Sequence, residues 1–385
     1  MSRLEGCRVL DLGIITAGAA TAACLADFGA EVIKIESASY RDPFRRWLSD
    51  KPPGAADDLP PFFRATNRNK LGLSLDLKHP EGRAAFLRLV ANSDVVVENF
   101  RRGVMEKLGI DYTTLRAANP DIILASISSQ GETGPERGYV SYGSTLEAVG
   151  GLAWTTGYAD GAPTISGVDL NYPDQVVGLV ATSMIVTAWY ARRNGAGGAH
   201  LDLSQRELTS FLSGEAFVAA GAGVAQAREG NAQAPHALQN CFKAADGAWV
   251  AVTVEAGQTT ALENLTGAGA PEDALRQWLA GRSAAAAVAI LAKHGIAAAE
   301  VLDGRQVLAR QGSLWKHALQ RLPQGALVKG FPHQFSRRPL KVERDAPAIG
   351  ADTVDILRRV GGLSATDIDA LLALGVIEIA PHSNQ

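Results

Sequence analysis

The chain has 385 residues, 46% of them hydrophobic and 20% charged, with a formal net charge of -3. That length exceeds what one core usually holds, so two domains are expected, and the small negative charge offers no footing for nucleic acid or a membrane surface as the main partner. Cys7, Cys24 and Cys241 are scattered and form no CxxC pair, which predicts a reducing, cytoplasmic setting without disulfides. The start, "MSRLEGCRVLDLG", has no apolar stretch of the signal-peptide kind.

In chain order, "CRVLDLGIITAGAATAACLADFGAEVIKIE" predicts a strand over 9–12, a small-residue helix over 18–27 closed by Gly29, and a strand over 32–35. The helix–strand alternation recurs in "GRAAFLRLVANSDVVVENF" and "TTLRAANPDIILASIS". It predicts an α/β fold with a parallel, doubly wound sheet. The apolar run from Val176 to Ala191 is short for a membrane span and carries Thr182, Ser183 and Thr187. A helix buried on all sides is expected there.

From about Thr209 the chain turns rich in Gly, Ala and polar residues and reads as a connector. "GAWVAVTV" follows as a strand, then alanine-rich helical sequence over 272–293. A proline-punctuated passage, "FPHQFSRRPLKVERDAPAIG", leads to two short helices in "DTVDILRRVGGLSATDIDALLALGVI". There is no internal repeat. The expected organisation is a large domain over 1–205, a linker and small α/β domain over 206–325, and a segment over 326–385 that returns to the large domain.

The first strand–loop–helix unit invites a dinucleotide reading. Its turn, "GIITAG", lacks G-x-G-x-x-G, and the bulky Ile14 and Ile15 stand where a pyrophosphate needs close backbone approach, so no nicotinamide cofactor is expected. The helix start could still receive a phosphate-bearing ligand. None of His79, His200, His236, His294, His317, His333 and His382 has metal-site spacing, so no metal is expected. There is no G-x-S-x-G nucleophile elbow. Asp174, in "VDLNYPDQVVGLV", follows a proline at the mouth of the apolar run. Two readings stay open on these residues: an acid that matches a helix dipole, and a nucleophile.

The segments "LEGCRVLDLGIITAGAATAACLADFGAEVIKIE", "NRNKLGLSLDLKHPEGRAAF", "DVVVENFRRGVMEKLGIDYTTLRAANPDIILASIS", "TTGYADGAPTISG", "YPDQVVG" and "RRNGAGGAHLDLSQRE" together resemble the family III CoA-transferases. Each block is a weak signal; their shared order and spacing over nearly the whole chain is a strong one. The resemblance implies a large Rossmann-like domain, a smaller α/β domain and two interlocked chains. These would form a homodimer or, alternatively, a heterodimer with a related subunit. It implies transfer of CoA from an acyl-CoA donor to a small free carboxylic acid. Asp174, with Gly178 four residues on, would be the nucleophile that carries a covalent aspartyl-CoA.

By matched position the resemblance also implies a CoA site. Thr16 and Ala17 fall in the first βα loop, although Thr16 departs from the glutamine often found there. Leu75, Asp76 and Lys78, then Asn99, Phe100 and Arg101, would cradle the nucleotide, and Lys107 would meet a phosphate. Ser37 stands where some relatives carry a basic residue, with Arg41, Arg45 and Arg46 as candidate replacements. His236 and Gln239 are candidates for the acyl pocket. Two alternatives accompany this reading. An acyl-CoA racemase of the same fold would need a histidine that "GETGPERGYVSYGSTLEAVGG" lacks. A CoA-binding subunit of a heteromeric transferase would have no need of Asp174 and Gly178.

Overall fold

A computed structural model describes residues 4–47, 59–167, 170–224, 226–310, 318–322, 325–331, 335–337 and 339–380. The chain divides into two compact units. One comprises Met1–Leu152, Ile165–Gly214 and His317–Gln385, the other Ala153–Thr164 and Glu215–Lys316.

The first unit is built on six strands: β1 (Arg8–Asp11), β2 (Glu31–Glu36), β3 (Leu71–Ser74), β4 (Val95–Glu98), β5 (Ile123–Ser128) and β6 (Ala199–Ser204). Their order is β3-β2-β1-β4-β5-β6 and every pair is parallel. The inner strands are almost wholly buried because both faces are covered. Alternate residues go to opposite faces. Leu10, Ile33, Val96 and Leu124 join a core with Phe86, Leu89 and Leu115, and with Ile356, Leu357, Ile368 and Leu371 from the C-terminal helices Thr353–Arg359 and Ala365–Ala373. Val9, Val32, Val95 and Ile123 pack on the other face against Ala22 and Leu25 and against Val177, Ala181, Ile185 and Trp189.

The C-terminal segment also covers the edge strand β3. Gly72 N donates to Asp352 Oδ2 at 2.8 Å, Ser74 N to Thr353 Oγ1 at 3.0 Å, and Asp76 N to the Val376 carbonyl at 2.8 Å. Backbone donors on an edge strand are thereby satisfied within the chain.

The helix Ala17–Asp27 is small-residue from Ala17 to Cys24, which lets the long helix Tyr172–Arg193 lie close on it. A Cβ placed on Gly178 would sit 3.4 Å from Ala20 Cβ, at ordinary contact distance. The long helix is not buried on all sides, as its sequence suggests. Val177, Ala181, Ile185 and Trp189 form its buried stripe, while Leu179 and Tyr190 are 61% and 68% exposed. An apolar sequence marks burial of one face or of both, and only the neighbours decide which.

The second unit is an antiparallel sheet of β7 (Leu238–Lys243), β8 (Trp249–Val254) and β9 (Ala297–Val301), in that order. Val250, Val252 and Val254 turn inward and meet Phe242, Leu275, Leu279 and Leu291. The passage predicted as helical over 272–293 is two helices, Pro271–Ala280 and Ala284–Lys293. They are separated at Gly281, and the Ser283 hydroxyl caps the second by accepting from Ala286 N.

Candidate active site

The sheet order reverses between β1 and β4, and at such a point the loops leaving the carboxyl ends diverge and open a crevice. A cavity of about 460 Å³ lies there, within the range of small-ligand pockets. Every strand of the sheet contributes at its carboxyl end. Leu12, Ile14 and Ile15 follow β1, Glu36 and Ser37 close β2, and Leu75, Asp76 and Lys78 follow β3. Asn99, Phe100 and Arg101 follow β4, Ser128 and Ser129 close β5, and Gln205 follows β6. Asp174 and the 137–142 loop complete the lining.

The loop after β1 is held in a demanding shape. Ile15 has φ +59°, a left-handed conformation that a β-branched residue rarely adopts. Three side chains impose it. Asn99 accepts from Ile14 N at 2.8 Å and donates to the Ile14 carbonyl at 3.1 Å. Asp42 accepts from Ile15 N at 3.1 Å and from Phe44 N at 3.0 Å. Lys34, fully buried, donates to the Gly13 carbonyl and pairs with Asp42 at 3.0 Å. Gly13 and Gly18 serve this packing: a Cβ on Gly13 would lie 2.5 Å from the Gly18 carbonyl carbon, and one on Gly18 2.8 Å from Asn99 Oδ1.

Asp174 sits in the first turn of the Tyr172–Arg193 helix, behind Asn171 at φ +46°. It is half-buried, and burial pushes its carboxyl up to about 6. Opposing that shift are only neutral groups: the Gln205 amide, the Asp174 backbone and the backbone of Ala17. The Gln205 amide lies near enough to act on the carboxyl without completing a hydrogen bond, since its buried Nε2 has no hydrogen-bond partner among the described residues. Gly143 is packed against the carboxylate, so that a Cβ there would lie 2.9 Å from Asp174 Oδ2. A desolvated carboxylate with neutral donors and no cation is a stronger nucleophile than one locked in an ion pair.

Leu75, Asp76, Lys78, Asn99, Phe100 and Arg101 line this cavity together with Asp174. Thr16 and Ala17 are buried at the start of the Ala17–Asp27 helix and are not part of the lining, and Lys107 is exposed, also outside it. Asn99 is spent on the β1 loop, and Ala17 turns its backbone to Asp174. Of the basic residues proposed to replace one at Ser37, Arg45 is buried in a fork on Glu36, with Nη2 to Oε2 at 2.6 Å, and stacks over Phe63. It is not available to a ligand. Sequence reasoning missed Gln205, Gly143 and the 137–142 loop. Gln205 does lie in one of the resembling segments, but no local pattern ties it to Asp174.

No histidine lines the cavity among the described residues. His79 caps a helix by accepting from Glu81 N, and His200 stacks on Tyr112 beside Ser126 Oγ at 3.0 Å. Among the described residues no group of His, Cys, Asp and Glu could hold a metal ion, and no helix is long and apolar enough to cross a membrane.

The profile of CoA-transferase family III matches residues 4–353. A probable CoA-transferase of Mycobacterium tuberculosis is 32% identical over 96% of this chain, which spans 49% of that protein, about half its length. The succinyl-CoA–D-citramalate CoA-transferase of Chloroflexus aurantiacus is 30% identical over 97% of this chain and 98% of its own. The crystal structure of a CAIB/BAIF family protein from Brucella suis superimposes with a TM-score of 0.84 at 29% identity, covering 93% of this chain and 99% of that one. A crevice lined from every strand end, an uncompensated carboxylate at a helix start and a match across nearly the whole sequence place this chain in the family III CoA-transferases.

Proposed function

We propose that the chain moves CoA from an acyl-CoA donor to a small free carboxylic acid, with Asp174 as nucleophile and an aspartyl-CoA thioester as intermediate. The observation that carries this reading is the half-buried Asp174 carboxyl, without a cationic partner among the described residues, at the crevice of the parallel sheet. An Asp174 oxygen adds to the donor's thioester carbon, the C–S bond breaks, and CoA leaves as thiolate. The product is a mixed anhydride. The thiolate then adds to Asp174 Cγ, the Cγ–O bond to the acyl group breaks, and the donor acid departs as carboxylate. An acceptor carboxylate adds to the aspartyl thioester and the same two steps run in reverse. One thioester is consumed and one formed, so no ATP is required.

Lys78 and Arg101 are exposed cations at the cavity and suit the phosphates of CoA. Phe100 and Tyr40, in edge contact at 6.3 Å between ring centres, offer apolar cover beside them. The C. aurantiacus relative, named for succinyl-CoA and D-citramalate, makes succinyl-CoA the first donor to try and small hydroxy- and dicarboxylic acids the first acceptors. We also propose that two copies of the chain associate through the bare face of the Tyr172–Arg193 helix.

The test is a donor-only incubation with succinyl-CoA, quenched with hydroxylamine and read by mass spectrometry. A hydroxamate on Asp174 is expected, and Asp174→Ala should lose transferase turnover by several orders of magnitude because the covalent route disappears. Wild-type turnover in that variant would overturn the assignment. So would rapid wash-in of α-deuterium from a 2-methylacyl-CoA with no CoA exchange across the acceptor panel.

A further inference from the structure

We infer that Gln205 is a second catalytic residue of this site: its Nε2 donates to the Asp174 carboxyl oxygen that becomes an oxyanion each time a thiolate or carboxylate adds to Asp174 Cγ. This rests on Asp174 being the nucleophile.

The chain places Gln205 by a short route. β6 ends at Ser204, whose hydroxyl caps the next helix by accepting from Glu207 N at 3.2 Å. The capping task is thus already filled, and the Gln205 side chain, first in the helix Gln205–Leu212, turns inward at 6% exposure. Its Nε2 is buried without a hydrogen-bond partner among the described residues. Buried amide donors are nearly always paired, and one left open calls for a reason. Gln205 and Asp174 line the same cavity and the Gln205 amide already acts on the Asp174 carboxyl, so the oxygen there that gains charge during reaction supplies one.

The reaction requires such a donor. Acyl addition at the substrate carbonyl puts charge on an oxygen whose position varies with the substrate. Addition at Asp174 Cγ puts charge on an oxygen tied to the protein. A donor fixed to the neighbouring helix can be aimed at that oxygen in advance, which is where preorganised donors gain most. Two neighbouring cations are committed elsewhere. Arg206 pairs with Glu136 and reaches Gln130 Oε1 at 3.3 Å, and Arg102 pairs with Glu98 and Glu132. A neutral amide also suits the first step, because a cation in its place would hold the carboxylate in an ion pair and blunt its attack.

The experiment compares Gln205→Met, Gln205→Glu and Asp174→Ala with the wild-type chain, using succinyl-CoA and a panel acceptor. Rapid-quench mass spectrometry follows formation and consumption of aspartyl-CoA, alongside donor KM and melting temperature. Gln205→Met, equal in length but without a donor, should slow both Cγ steps by roughly 10²- to 10³-fold, with donor KM within about threefold of wild type and melting unchanged or raised. Gln205→Glu should be as slow at pH 8 and recover below about pH 6, where the two carboxyl groups share a proton that can be donated. Gln205→Met turning over within threefold of wild type, while Asp174→Ala forms no adduct, would sink the role of Gln205 and leave the nucleophile standing. Full turnover in Asp174→Ala would remove both. If Gln205→Met fails to fold, Gln205→Glu decides: a pH profile like the wild type's rules the proposal out.

Discussion

The attack proposed for Asp174 needs a carboxylate, and burial pushes its carboxyl up to about 6 from its ordinary 3.8. The rate of adduct formation, as kcat/KM on the free enzyme, should therefore rise with pH through a midpoint near 6. A midpoint below 5 would show that the carboxyl is not desolvated in solution. The same shift has a stability sign. Between pH 3.8 and 6 the folded chain binds a proton the unfolded chain has released, so this group's contribution to stability falls as pH rises across that window. Asp174→Asn should accordingly be more resistant to denaturant than the wild type above pH 6, with the gain fading toward pH 4. Gly143 offers a complementary check. A methyl there would lie 2.9 Å from Asp174 Oδ2 and 3.0 Å from Asn171 Cα, while its φ is one any residue adopts. Gly143→Ala should fold, bind CoA and lose about 10²-fold in rate, as misplacement of a reacting group by about an ångström does.

The loop between β1 and the Ala17–Asp27 helix depends on a pair that lies outside it. Lys34 of β2 and Asp42 have no side-chain exposure, and together they hold the Gly13 carbonyl and the Ile15 and Phe44 amides. Asp42→Ala would strand a buried ammonium and release Ile15 from its left-handed conformation. A loss of about 3–5 kcal/mol is expected from breaking a buried pair, measured by urea unfolding, together with loss of transferase rate. Arg41→Ala, which removes a partly exposed pair 3.8 Å from Glu378, should cost under about 1 kcal/mol. Equal losses in the two variants would mean that Asp42 does not pin the loop.

On the scale of the whole molecule, the long helix joins two tasks. Its N-terminal turn carries Asp174, its inner stripe closes the sheet, and its outer face leaves Leu179, Met184 and Tyr190 exposed. Phe211 of the following helix is exposed as well. Apolar residues grouped on one face mark an association surface. Light scattering should give a mass of two chains at micromolar concentration. Leu179→Asp should shift the equilibrium toward single chains and lower activity in parallel. A fully active single chain at low concentration would exclude an obligate pair.

The sequence by itself determined the α/β class and the parallel sheet, because apolar runs alternating with amphipathic helices leave little else for the chain to do. It also drew attention to Asp174, an acid after a proline at the mouth of an apolar run, and the resemblance pointed to Leu75, Phe100 and Arg101, which line the cavity. What it left open was decided by neighbours distant in the chain. Asn99, matched to a CoA site by resemblance, also holds the β1 loop, and Ala17 turns its backbone to Asp174. Arg45, read as a spare cation, is tied to Glu36. The apolar helix expected to be buried all round is bare on one side. Gln205 and Gly143 carried no local signal at all. Periodicity and propensity act over a few residues and are written along the chain. Desolvation, close approach and the supply of hydrogen-bond donors depend on which strands become neighbours, and that is settled only when β1 takes its place between β2 and β4.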